Sequence, residues 1–493
     1  MTFLILPHEV GTKRATVWVA AIREDKVKER RVRLDLSGTN DSVELAEDKW
    51  KVWWTFKAED PSDFATFDRL MHKVTAFWRE GTVAEHVHYQ RVDLENLNPR
   101  TAYDANLIVD GTPPADSEGH LRSCSFRTLP NELPKAESGD TFNVLLGSCF
   151  YKPKDEGGRV GRTFSALPPS HRPDVKFLSG DQVYLDNPWH MTTLRWYRGN
   201  QKPGVFRKML LDKYLATWKQ RQDKNSGFHR LLADGANYFC SDDHEFWNNA
   251  PSFGGVGFVN TLSARQRGWW FEEARKLFRV FQSRSSLQGF DVGNLSFKIA
   301  DTRIDRDTPG IRFMLHENLE EVKDWISSLK GPGVLVIGQP ILEADATETV
   351  KDRIYSHFDK DLADFGQYVE LKESILACEH SLVVLTGDVH FGRVASTLAG
   401  RNGVTRLVEV ISSPMCHVTG ATISGYKPAL GLEAQQIRNE NPFGREHRDH
   451  FATVRFSDED HGIVNMSVSY WPIYRDGEKP SEEPAQTFEF KLG

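Results

Sequence analysis

The chain has 493 residues, 39% hydrophobic and 27% charged, the composition of a globular protein long enough for two or three domains. Its 62 Lys and Arg stand against 69 Asp and Glu, a net charge of -7, which weighs against a general nucleic-acid binder because neutralising phosphates needs a basic surface. The five cysteines, Cys124, Cys149, Cys240, Cys378 and Cys416, are odd in number and thinly spread, which excludes a disulfide framework, and no apolar run approaches the ~18 residues of a transmembrane helix.

The start, MTFLILPHEV, lacks a basic segment and its apolar run is short for a signal peptide, so a cytoplasmic chain is expected. The first 130 residues read as strands. RATVWVAAI and RRVRLDLSG alternate or run apolar and stop at turn formers. In VHYQRVDLENLNPRTAYDANLIVDG a strand ends at Leu94, Asn98-Pro99 turns the chain, and Tyr103 opens the next strand; CSFRTLP is a final strand. The Leu-x-Pro-x-Thr-x-Tyr corner resembles that of fibronectin type III and immunoglobulin-like sandwiches, which implies an all-β domain over residues 1–130. Residues 131–140, polar with Pro134 and Gly139, are expected to link it to a second domain over 141–493.

From Thr141 the pattern changes. Short apolar runs, FNVLLGS, VKFLSGD, NYFCSDD, VLVIGQP, LVVLTGD and LVEVISS, suit strands buried on both faces. Helical stretches separate them. Ser263 and Gln266 form a capping-box pattern before RGWWFEEARKLFRVF, and Leu319, Val322, Trp325, Ile326 and Leu329 share one face of a helix that ends at Gly331. Phe206, Met209, Leu210, Tyr214 and Trp218 form another stripe. The second domain is therefore α/β with a largely buried sheet. An insertion near residues 185–235, aromatic and basic in WHMTTLRWYRGNQKPGVF, is expected to form a lid.

Five of these runs end in groups able to bind a metal: Cys149; Asp181 with Tyr184 three residues on; Asp242, Asp243 and His244; Gln339; Asp388 with His390. Sites in open α/β sheets form beyond the carboxyl ends of the strands, so five such ends point to one rim. Each element alone has an ordinary structural explanation; the joint order carries the weight.

That order, GSC, GDQVY, DDHEFWNN, VLVIGQP, LTGDVHFGRVA and VEVISSP, resembles the calcineurin-like metallophosphoesterases, and within them the PhoD-type alkaline phosphatases related to purple acid phosphatases. ADTRIDR at 300–306 resembles that family's D-x-R-x-x-R segment. The resemblance implies an αββα sandwich after the β-domain, and a first metal site from Cys149, Asp181, Tyr184 and His390. It implies a second from Asp181 as bridge with Asp243, Gln339 and Asp388. A thiolate and a phenolate on one ion suit Fe(III); an all-oxygen second site suits Ca(II), or Mn(II) or Mg(II), over Zn(II). Asp242 or Glu245 would complete a calcium shell, with no choice between them. Two cations ~3.5–4 Å apart would activate a shared water to attack phosphorus in line. His244 would meet the phosphate opposite them and assist binding or protonate the leaving group, oriented by Asp243 and Glu245. Asp181 and Asp243 thus join His244 as the catalytic set. Lys154, Arg159, Arg162, Arg303 and Arg306 are candidate phosphate clamps, each more readily explained as an ordinary surface or ion-pair residue.

The expected function is metal-dependent hydrolysis of small-molecule phosphoric mono- or diesters, with no stable nucleic-acid partner and no membrane span. A non-catalytic binding protein would have lost ligands, and none is missing from the PhoD-like pattern. A nuclease would need a basic groove, which the acidic balance disfavours.

Overall fold

The apolar runs become strands whose alternate side chains serve two different cores. The computed structural model describes residues 2–22, 27–37, 42–54, 86–114, 122–186, 203–221, 223–252, 259, 262–308, 310–342, 361–400, 402–416, 437–443, 448–459, 462–475 and 477–493. The first part of the chain is all β. One antiparallel sheet has the order β1 (Thr2–Val10), β2 (Ala15–Ile22), β6 (His86–Leu94), β5 (Lys51–Trp54), and a second the order β4 (Ser42–Glu44), β3 (Val32–Leu36), β7 (Ala102–Val109), β8 (Ser123–Arg127). The corner read at Tyr103 is present: its hydroxyl accepts from the Asn98 N–H at 2.9 Å. The segment 131–140 is tied to the rest of the fold, with Asp458 N–H donating to Pro134 O and Gly293 N–H to Asn131 O.

The remainder is a mixed α/β structure. β9 (Phe142–Gly147), β10 (Val175–Ser179) and β11 (Ala236–Cys240) are parallel, and β9 also pairs antiparallel with β19 (His450–Glu459), which continues to β20 (Ile463–Pro472) and β21 (Gln486–Leu492). A seven-stranded sheet runs β12 (Leu287–Val292), β13 (Leu295–Ala300), β14 (Gly333–Val336), β15 (Leu382–Thr386), β17 (Leu407–Ile411), β16 (Arg393–Thr397), β18 (Ile437–Glu440), parallel from β13 through β17. Every residue of β9, β10, β11, β14, β15 and β17 is buried, as the continuous apolar runs required.

The two sheets pack face to face through aromatic rings. Phe142 meets Phe290 and Phe297, Phe177 meets the same pair, and Phe456 stands edge-on to Phe297. The period of two divides each central strand. Val334, Val336, Val383 and Leu385 enter this inter-sheet core, while Leu335, Leu382 and Val384 turn to a second core beneath two helices. Those helices, α5 (His316–Ser328) and α6 (Gln367–Ala377), contribute Leu319, Val322, Ile326, Leu371 and Ile375. On the other side lie α1 (Arg159–Ala166), α2 (Pro203–Trp218), α3 (Gly227–Leu232) and α4 (Ala264–Phe281). The capping box at the start of α4 is formed: Gln266 N–H donates to Ser263 Oγ at 3.3 Å and Ser263 N–H to Gln266 Oε1 at 3.0 Å. Of the stretch expected to form a lid, residues 187–202 lie outside the described residues, as does the Phe206 side chain. Met209, Leu210, Tyr214 and Trp218 of α2 are buried in the core.

Candidate metal centre

The parallel strands of both sheets end at one rim, and the loops that leave them are stitched together by backbone hydrogen bonds. Cys149 N–H donates to Gly180 O, Phe150 N–H to Asp181 O, Gly387 N–H to Gly338 O, and Cys416 N–H to Cys149 O. The loops after β9, β10 and β15 turn sharply enough to push non-glycine residues into the left-handed region. Among the described residues eight do so, and four are candidate ligands: Cys149 (φ 55°), Asp181 (φ 58°), Asp388 (φ 67°) and His390 (φ 57°). A positive φ costs an L-residue of order 1 kcal/mol or more, and such strain concentrates where a side chain must be aimed. Gly180 has no room for a side chain, because a Cβ there would come within 2.5 Å of the Asp242 Cβ.

Three overlapping groups of donor atoms result, each with its atoms within 4.8 Å of one another: Cys149, Asp181 and His390; Asp181, Asp243 and His244; Asp242, Asp243 and Asp388. Cys149 Sγ lies 3.6 Å from Asp181 Oδ2 and accepts from the Ser413 hydroxyl at 3.2 Å. The Tyr184 hydroxyl is buried without a well-formed hydrogen bond, and its nearest acidic neighbours are Cys149, Asp181 and Asp243. Gln339 bridges inward and outward: its Nε2 donates to Asp388 Oδ2 at 2.9 Å and its Oε1 accepts from Arg306 at 2.6 Å. All eight expected site residues therefore come to this rim.

Burial and mutual repulsion make the cluster electrostatically unstable by itself. Burial, reinforced by Asp181 and Asp388, pushes the Cys149 thiol well above its ordinary pKa. Burial and then Asp243 do the same to Asp181, and burial with Cys149 and Asp181 to Tyr184. Asp242 rises to about 8, burial and the neighbouring Asp388 and Asp243 outweighing Arg303. Asp243 is the exception: burial opposes its charge, but His244 and Arg303 hold it below the usual carboxylate range. So many buried acids are compatible with full ionisation only beside cations. The donors, one sulfur, one phenol, one imidazole and several carboxylates, fit metal ions.

His244 stands apart from this set in its bonding. Its Nδ1 is 2.7 Å from Asp186 Oδ1, and the other Asp186 oxygen accepts from Asn248 N–H at 2.8 Å. The ring lies against Tyr184, centroids 4.2 Å apart and planes tilted by 32°. Burial works against charge on His244, yet Asp186, Asp243 and Asp181 together hold its pKa well above the ordinary value.

Two expectations are corrected here. Asp186 orients His244, not Glu245. The Glu245 carboxylate is taken by backbone, accepting from Asp181, Gln182, Val183 and Asp242 N–H, so it fixes the two ligand loops to each other. Nor are the five basic residues a set of clamps. Arg162 pairs with Asp223 at the surface, Arg159 bonds the Lys154 carbonyl, and Lys154 is exposed. Arg303 and Arg306 are buried against Asp242 and Gln339. Asp186 was not singled out from sequence; Ser413 and Asp301 lie in the quoted VEVISSP and ADTRIDR stretches, but no role was read for them there. Asp301 anchors the ADTRIDR turn, accepting from Ser241, Arg303 and Ile304 N–H.

Two facing sheets thus carry a cluster of metal-ligating donors at their common carboxyl edge. Comparison with solved structures gives the closer likeness: the chain has a PhoD-type phosphatase fold, superposing on a structure of PhoD with a TM-score of 0.64 over 99% of this chain and 90% of that one, at 13% identity. A family 123 glycoside hydrolase from Clostridium perfringens aligns only at a TM-score of 0.10, with 9% identity over 77% of this chain and 58% of that one, and carries no argument. No protein-family model and no curated protein matches the sequence.

Proposed function

We propose that this protein is a metal-dependent hydrolase of phosphoric esters. The observation that carries the reading is the convergence of Cys149, Asp181, Tyr184 and His390 with Asp243, Gln339 and Asp388 at one sheet edge, four of them on strained backbone. The first four residues would hold Fe(III), for which a thiolate and a phenolate are strong donors. Asp181, Asp243, Gln339 and Asp388 would hold a hard divalent ion, Ca(II) before Mn(II) or Mg(II). When bound, the pair supplies Lewis acidity, activating water near neutral pH and offsetting charge on the phosphoryl oxygens.

The chain's own part is positioning and proton transfer. Asp186 fixes Nδ1 of His244, which leaves Nε2 for the substrate. From there His244 stabilises the phosphoryl group and donates a proton to the leaving oxygen. The substrate is a small phosphate ester, monoester or diester. Steady-state hydrolysis of chromogenic mono- and diesters tests this. His244→Ala is expected to lower kcat about 100-fold or more with metal content unchanged. Unchanged kcat in that variant would remove the proton-donor role, and failure of the metal-loaded protein to hydrolyse any ester would favour a binding protein.

A further inference from the structure

The donor sets just described leave one buried oxygen without a task. Asp242 is 1% exposed, and Arg303 Nε donates to its Oδ1 at 2.6 Å. Its other oxygen, Oδ2, is buried and has no hydrogen-bond partner. A carboxylate oxygen in that position forfeits its hydration with no return unless something cationic stands beside it. The side chain cannot swing away, because the Arg303 guanidinium is itself locked, donating also to the Ala250 carbonyl at 2.9 Å. The Asp242 backbone is fixed as well, its N–H held by Glu245. Asp242 shares a donor group with Asp243 and Asp388, a group that does not include Cys149.

Resting on the metallophosphoesterase reading, we propose that Asp242 Oδ2 is a direct ligand of the second cation, and that Arg303 is the positioning residue that aims it. The rival oxygen is Glu245, and its bonding removes it: four backbone N–H groups occupy that carboxylate, and it belongs to none of the donor groups. Gln339 Oε1 accepts from Arg306 with one lone pair and has a second for the same cation, so Asp242 adds to it rather than replacing it. Adding Asp242 gives the second site four carboxylates, a charge and ligand number suited to Ca(II), which takes six to eight oxygens, and generous for Mg(II), which keeps several waters. This also gives the ADTRIDR turn a purpose. Asp301 holds the backbone of Arg303 through its N–H, so the segment transmits a fixed orientation to a metal ligand.

The test uses Tb(III) as a luminescent probe of the second site in iron-containing protein, with calcium competition. Asp242→Asn is expected to weaken calcium binding about tenfold or more and to raise by about one the number of waters bound to Tb(III), read from lifetimes in H2O and D2O, with the iron content unchanged. An unchanged water count and calcium affinity in Asp242→Asn would overturn the proposal while leaving the hydrolase reading intact. No calcium or Tb(III) binding by the unaltered protein would instead overturn the reading beneath it. Should Asp242→Asn fail to fold, a calcium-bound crystal structure of the unaltered protein decides: Asp242 Oδ2 about 2.3–2.6 Å from the cation is expected, and a cation bound without it contradicts the assignment.

Discussion

Asp186 shows what a single residue contributes here. It is in none of the donor groups, yet it holds His244 Nδ1 and is itself held by Asn248 N–H, so the ring has one direction and its charged form is favoured. Asp186→Asn keeps the shape and loses the charge and the acceptor on one side. We expect kcat to fall about 10- to 100-fold with KM and metal content little changed, measured by steady-state kinetics and elemental analysis on the same preparation. A variant that lost metal or KM instead would place Asp186 in the ligand scaffold. The residue also marks the reach of sequence reasoning. Cys149, Asp181, Asp243, Asp388 and His390 were legible because each sits a fixed few residues past an apolar run. Asp186 was not, since it lies in a loop without periodicity and its partner is 58 positions away. Ser413 follows a legible apolar run, but its partner Cys149 lies 264 positions away, so its contact was not legible. Glu245 was misjudged because its charge suggested a partner for His244, whereas its geometry serves four backbone N–H groups.

Among the elements, the central strands were the most legible and one of them conceals a charge. LVEVISS reads as a buried strand, and β17 is one, but Glu409 at its centre is fully buried. Its partner is Arg393 of β16, also buried, and its other oxygen accepts from Ile341 and Leu342 N–H in the loop after β14. Nothing in the run itself announces this, because the pairing needs the antiparallel neighbour, where Ala395 stands opposite Glu409. Removing one member of such a pair strands the other in low dielectric. Glu409→Gln is therefore expected to destabilise the protein by about 3–5 kcal/mol, read as a lower urea midpoint at unchanged slope. The loop it anchors follows Gln339, so second-cation affinity should fall in parallel. A loss below about 1 kcal/mol would show that the pair is replaceable by hydrogen bonds alone.

For the whole molecule, the all-β part and the α/β part are joined by a continuous apolar core and by specific bonds. Tyr238 of β11 donates to Val10 O and accepts from Val10 N–H, and Asn237 donates to Pro7 O. The sequence indicated two styles of structure and a polar segment between them, but not this contact, which depends on residues some 230 positions apart. Stability should also depend on pH through histidines buried neutral. Burial brings the pKa of His450 down to about 4, a backbone bond to the Arg448 carbonyl only partly opposing it, and burial followed by Arg455 does the same to His171. The unfolded chain titrates these rings near 6.5, so between about 6.5 and 4 it binds protons that the folded state refuses. The contribution is full above about 6.5 and is lost as pH falls through that window. The histidine part of the unfolding free energy should rise with pH there, against the opposite slope of buried carboxyls such as Asp242, so His450→Gln should shift the pH slope of the metal-free protein downward by up to about one proton. An unchanged slope in that variant would mean that His450 is protonated in the folded state.

The account rests on cations at the shared sheet edge driving ester hydrolysis, and metal analysis joined to activity tests it most directly. Purified protein is assayed with chromogenic phosphate esters, stripped with chelator, and reconstituted, with iron and calcium quantified at each stage. The account predicts iron with a visible absorption band, activity that falls on stripping and returns with calcium, and a fold that survives the cycle. Undiminished hydrolysis by metal-free protein would contradict it, and a colourless protein active with zinc alone would contradict the assignment of iron to Cys149 and Tyr184.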